Sequence, residues 1–123
     1  MLDHVTLGVS DIERSKQFYD SALRPLGIER LYAEGPTAAG YGAGRKAFFW
    51  ITQKKVTQTG AHVALVTELR ETVDRFYEAA LAAGGRDNGR PGLRPHYHEN
   101  YYGAFVLDPD GHNIEAVCHR KQT

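Results

Sequence analysis

The sequence predicts an α+β fold made of two copies of one βαβββ module. Three observations predict it. The segment from His4 to Gly27 recurs from His62 to Gly85, displaced by 58 positions without a gap, and nine of its 24 aligned positions are identical. Chance would give about one or two at ordinary residue frequencies. Each copy opens on an alternating stretch and passes into one of helical period. Each copy is then followed by short apolar runs divided by Gly and Pro. A fixed displacement of this size marks a repeated structural unit. Module one is expected over about residues 1–57 and module two over about 58–123.

Leu2 to Val9 alternates, with Leu2, His4, Thr6 and Gly8 on one face and Asp3, Val5, Leu7 and Val9 on the other. That pattern is a half-buried strand. Ser10-Asp11-Ile12-Glu13 follows and reads as a capping box. The helix it opens should run to about Leu23 and stop before Pro25, which cannot continue it. Ile28–Tyr32, Ala38–Ala43 and Lys46–Gln53 complete the module as strands.

In the second copy Ala61–Thr67 is a strand. Leu69–Ala83 is a helix, with Val73, Phe76, Tyr77, Ala80 and Leu81 on one stripe. Gly84-Gly85 ends it. A weak strand falls between Arg86 and Leu93, and stronger ones at Tyr101–Leu107 and Asn113–His119. Asp108-Pro109-Asp110-Gly111 between the last two is a tight-turn sequence.

Bulk properties exclude several function classes. Fifteen bases balance fifteen acids, so nothing favours nucleic acid or an anionic membrane as a partner. The longest apolar runs, Ala47–Ile51 and Ala79–Ala83, are far too short to span a bilayer. The single cysteine, Cys118, cannot form an internal disulfide, which fits a reducing, cytoplasmic setting. Two modules of about 60 residues make a small core, so a homodimer is expected.

The repeated histidines carry the chemistry. Val5, Leu7, Val63 and Leu65 should face the helices, which turns His4 and His62 to the opposite side of the sheet. Glu115 sits mid-strand between Ile114 and Ala116, a poor place for a carboxylate without a partner. Two histidines at one place in two copies, completed by a carboxylate, suit a divalent metal. Other motifs have plainer readings. The twelfth position from Asp108 is His119, not Glu, so Asp108-Pro109-Asp110-Gly111 does not begin a calcium loop. Gly40 to Gly44 is followed by strand residues, not the helix a phosphate loop needs. The stretch from Arg90 to Tyr102 is either a proline-stiffened surface loop or a substrate loop. The second reading offers Arg94 for an anion, His96 or His98 for proton transfer, and Tyr97, Tyr101 and Tyr102 for stacking or hydrogen bonding. Cys118 should be a packed thiol.

A doubled βαβββ unit, a histidine opening each copy and the ending Asp108-Pro109-Asp110-Gly111-His112-Asn113-Ile114-Glu115 resemble the vicinal oxygen chelate superfamily. That group contains glyoxalase I, extradiol dioxygenases, fosfomycin-type thiol transferases and bleomycin resistance proteins. The resemblance covers essentially the whole chain. It implies a curled mixed sheet forming a cup, with the helices on the convex face. It implies His4, His62 and Glu115 as ligands of one divalent ion, with Zn, Fe, Mn, Ni and Co all compatible. The family's fourth position falls within Ala47–Thr52 and matches best at Trp50, which cannot ligate. The resemblance therefore implies a metalloenzyme whose small substrate chelates through neighbouring oxygens. Glyoxalase I activity itself is not expected, because Trp50 replaces a ligand and offers no basic lone pair. His98 or Tyr101 would have to serve as base, and Thr6, Trp50, Arg94, His96 and Phe105 are candidate substrate contacts.

Three rivals stay open. Thr6 and the ending suit a fosfomycin-type thiol transferase, yet the chain stops at Thr123 and has Phe105 where that reading expects tyrosine. An extradiol dioxygenase shares the ligand set. A drug-sequestering resistance protein would lack the ligands and carry an acidic cleft.

Overall fold

The computed structural model describes residues 1–55 and 60–122, so the expected module boundary near residues 57 and 58 lies outside the described residues. Module one holds strand β1 (Val5–Val9), helix α1 (Ile12–Ala22), a 3-10 turn (Arg24–Leu26), then β2 (Glu29–Glu34), β3 (Ala38–Ala43) and β4 (Lys46–Gln53). Module two holds β5 (His62–Val66), α2 (Arg70–Ala82), β6 (Arg86–Leu93), β7 (Tyr102–Leu107) and β8 (Asn113–Cys118). Each module is a four-stranded mixed sheet. The orders are β1-β4-β3-β2 and β5-β8-β7-β6, and the first strand runs parallel to the last in both. This is the α+β architecture of two βαβββ modules.

Helix starts follow local chemistry with one correction. Asp11, not Ser10, caps α1, its side chain accepting from the Arg14 N–H. Ser10 is drawn away from the expected box: its N–H and hydroxyl both donate to Asp110. Pro25 ends α1 by opening the 3-10 turn, and Gly27 closes that turn at φ 75, a left-handed conformation that suits glycine. Gly85, its repeat counterpart, serves a different end. A Cβ there would stand 2.5 Å from Val106 and 2.7 Å from Phe18, so its missing side chain lets the modules approach.

The two modules share one core. Phe18, Tyr19, Leu23, Tyr41, Phe49 and Ile51 from module one join Val73, Phe76, Val106 and Ile114 from module two. The helices and the inner sheet faces supply it, as the alternation requires.

The Asp108–His112 turn bolts the modules together. The Tyr19 hydroxyl donates to Asp108 Oδ2 at 2.5 Å, while Asp108 Oδ1 accepts from the Asp110 and His112 N–H groups. His112 Nε2 donates to the Gly8 carbonyl at 2.7 Å, and its Nδ1 accepts from the Ala61 N–H at 2.9 Å. One turn thus fixes α1, the end of β1 and the entry to β5.

This leaves the sheet faces opposite the helices open. The outer edges of β1 and β5, one beside each first-strand histidine, have no paired strand among the described residues. Val66 on β5 is exposed.

Candidate metal and substrate site

Module two brings His62 and Glu115 together. The register pairs Ala64 with Glu115, which places Glu115 one step inward from His62 on the same face. His62 Nε2 lies 2.8 Å from Glu115 Oε1 and donates to it. The other oxygen, Oε2, accepts from the Tyr101 hydroxyl. Glu115 is 1% exposed, and its partners are an imidazole and a phenol, with no lysine or arginine within ion-pair reach among the described residues. Burial, then the hydrogen bond to Glu115, pushes the Tyr101 hydroxyl up from its ordinary range. Tyr101 is therefore a donor to the carboxylate.

A cavity of about 500 Å³ opens beside this pair, lined by His62, Asn88, Gly89, Arg94, Tyr97, Phe105 and Asn113. Phe105 pairs in register with both Glu115 and Gly89, and its ring lies over Gly89, where a Cβ would be 2.8 Å from it. The Arg94 guanidinium sits 5.4 Å from the Phe105 ring centre.

Module one builds a matching half-site. Thr6 pairs with Trp50 as Ala64 pairs with Glu115, so Trp50 occupies the register position of the module-two carboxylate. The indole lies flat over Gly40, where a Cβ would be 2.7 Å from the ring, and stacks on Tyr32 at 6.0 Å with an 11° interplanar angle. Gly40 pairs with both residues across the sheet. His4 stands at the edge of this aromatic floor in a cavity of about 400 Å³ with Asp3, Arg45 and Lys46.

His4 Nδ1 donates to Asp3 Oδ1 at 2.8 Å, leaving Nε2 with its lone pair outward. Lys46, 2.7 Å away, and then His4 hold the Asp3 carboxyl below its ordinary range. A carboxylate behind a histidine fixes the tautomer that a metal ligand needs. The sequence reading missed Asp3 and Lys46. The acid next to His4 was visible, but its bond to a lysine 43 positions away was not.

Within one chain the three expected ligands do not meet. Among the described residues no three His, Cys, Asp or Glu side chains lie together as a metal group. His62 and Glu115 are joined, and His4 lies in the other cavity.

The family model for the glyoxalase/bleomycin resistance protein/dioxygenase superfamily matches residues 1–116. The chain belongs to that superfamily. A glyoxalase/bleomycin resistance protein from Albidiferax ferrireducens T118 is 32% identical over 96% of this chain and 98% of its own, with a TM-score of 0.85. A glyoxalase I mutant from Zea mays is 29% identical over 94% of this chain and 46% of its own, with a TM-score of 0.72. A glyoxalase-related enzyme from Fulvimarina pelagi, 23% identical over 96% of this chain and 87% of its own, shares the fold with a TM-score of 0.75. No curated protein matches.

The remaining candidates separate. In this superfamily member the loop from Arg94 to Tyr102 reaches the His62–Glu115 side through Arg94, Tyr97 and Tyr101. Tyr102 turns the other way, donating to Asp74 on α2 beneath Arg70. His96 packs on Tyr97, and His98 donates through Nδ1 to the Glu99 carbonyl and packs edge-on against His119. Neither histidine lines the cavity. Cys118 is free and buried. Among the described residues no helix is long and apolar enough to cross a membrane.

Proposed function

We propose that the chain is a metal-dependent enzyme of its superfamily, with one divalent ion held by His62 and Glu115 of one copy and His4 of a second copy. The observation that carries this is the His62–Glu115 pair: a buried carboxylate aimed at an imidazole, with no balancing cation among the described residues. Such a carboxylate is costly unless something positive joins it. The donor set, two imidazole nitrogens and one carboxylate oxygen, fits Zn, Fe, Mn, Ni or Co.

A second copy supplies what one chain lacks. The free edge of β5 begins at His62, and the free edge of β1 begins just after His4. Setting β1 of one copy beside β5 of the other covers both edges, completes each cup from two half-sites and makes a homodimer.

A bound divalent ion supplies Lewis acidity to a small substrate that presents two neighbouring oxygens. The chain's own residues do the rest. Tyr101 donates to Glu115 Oε2 and His62 to Oε1, which together orient the carboxylate that would serve as a ligand. Asp3 holds the His4 tautomer. Trp50 and Tyr32 wall one side with flat apolar surface. Beyond the residues assigned as ligands, neither Trp50 nor Tyr101 offers a base: Trp50 has only a donor N–H, and Tyr101 donates to Glu115. The glyoxalase I proton transfer is therefore not expected, despite the relatives' names.

Metal analysis of purified protein tests this reading. One ion per chain is expected, with a sharp loss in His4→Ala, His62→Ala and Glu115→Ala and none in His119→Ala. Unchanged stoichiometry in His62→Ala would overturn the assignment. A metal-free protein that still binds planar drugs would point to sequestration instead.

A further inference from the structure

We propose that the cavity beside His62 is a carboxylate receptor built on Arg94, so that the substrate is a flat organic acid. This rests on the reading above for which end of the molecule reacts, but the receptor itself lies within module two of one chain.

The guanidinium is held before any ligand arrives. Nη1 donates to the carbonyls of Gly92 at 2.7 Å and Gly103 at 3.3 Å, and Nη2 donates to Arg90 at 2.7 Å. The group also rests on the Phe105 ring. A guanidinium has five N–H donors, and these bonds use three. The Nε–H and one Nη2–H are left, with no acceptor for them among the described residues. No carboxylate lies within 4 Å of Arg94 among the described residues, so its charge is uncompensated in the chain.

A second group points the same way. Asn113 lines the same cavity and sits opposite His62 in register, and its buried Oδ1 atom has no hydrogen-bond partner. Amide oxygen and nitrogen exchange by a flip, so the side chain can present either to a ligand. An acceptor oxygen there would repel a carboxylate, so it is the flipped amide, presenting its NH2, that would complete an acid ligand.

These features choose the ligand class. Two remaining donors and one unpaired positive charge match one carboxylate, and a phosphate dianion would need a second cation, which the lining does not hold. Phe105, Tyr97 and the His62 imidazole form flat walls, so a planar body fits between the acid group and the reacting oxygens. A fixed guanidinium loses little freedom on binding, which favours affinity.

The test uses the protein as purified and two planar probes of the same size, 3,4-dihydroxybenzoate and its uncharged amide, 3,4-dihydroxybenzamide. Binding is measured by calorimetry on metal-loaded and metal-free protein. The acid is expected to bind roughly tenfold or more tightly than the amide in both forms, with the preference shrinking at high salt. Arg94→Gln should bring the ratio to about one while amide binding persists, and Arg94→Lys should restore part of it. Because Arg94 also ties three carbonyls, a circular-dichroism melt accompanies each variant, and Asn113→Ala, outside that network, should also weaken the acid. Equal affinity for acid and amide in the unaltered protein would overturn the proposal, as would no binding of either probe. So would an acid preference that survives in folded Arg94→Gln. A preference present in both forms, with no gain on metal loading, would keep the receptor and remove the metal reading.

Discussion

At the residue scale, the same row of the sheet carries a carboxylate in one module and an indole in the other. Glu115 and Trp50 stand at equivalent register positions, two places inward from His62 and His4. The repeat made the histidines legible in the sequence, and the ending made Glu115 legible. The partners behind them were not legible, because Asp3–Lys46 and Tyr101–Glu115 join residues across strands. Tyr101 was visible as a stacking or hydrogen-bonding residue or a base, and its partner and direction of donation needed the fold. Tyr101→Phe should leave the site able to bind metal but weaken it by about 10- to 100-fold, the usual cost of losing a partner behind a ligand. Competition with a chelator measures this, and unaltered affinity would remove Tyr101 from the site. The unaltered protein should show no methylglyoxal–glutathione turnover with Zn, Ni or Co. Turnover of roughly 1 to 1,000 per second would show that an indole at position 50 does not exclude that chemistry.

At the element scale, the Asp108–His112 turn does more than reverse the chain. Its sequence announced a tight turn, and the Gly111 N–H to Asp108 carbonyl bond at 2.9 Å closes one. What the sequence could not show is that Tyr19, 89 positions away, donates into it. Tyr19→Phe should cost about 2 kcal/mol, the scale of a bond to a charged acceptor, in urea unfolding at pH 7. Burial, before the Asp108 charge, raises the Tyr19 hydroxyl well above 10.0. The unfolded phenol loses its proton near pH 10, and the folded one keeps it to higher pH. Stability present below pH 10 should therefore fall as the pH rises beyond it, and less steeply in Tyr19→Phe. Equal slopes would show that this hydroxyl does not control the alkaline limb. The helices were easy to read, because a buried stripe at helical spacing and the Pro25 stop both leave local signals. The cap was misread because Ser10 finds its partner, Asp110, in the other module.

At the scale of the whole molecule, the two-module plan was legible in the repeat, but how the modules meet was not. In the chain they pack through their helices and the Asp108 turn, which keeps the two histidine-bearing faces apart. The repeat suggested two ligands converging on one point, and the single chain does not bring them together. The proposed second copy would reconcile these facts. Sedimentation at micromolar concentration should find a species of twice the 13.7 kDa chain mass, and a 13.7 kDa species alone would contradict the shared cup. The most direct measurement mixes two metal-free variants, His4→Ala and Glu115→Ala, after subunit exchange. In a shared cup each mixed dimer regains one intact site, so metal content should rise from near zero to about a quarter of the sites. If the mixture stays as empty as its components while subunits demonstrably exchange, the three ligands do not come from two chains, and the central claim is wrong.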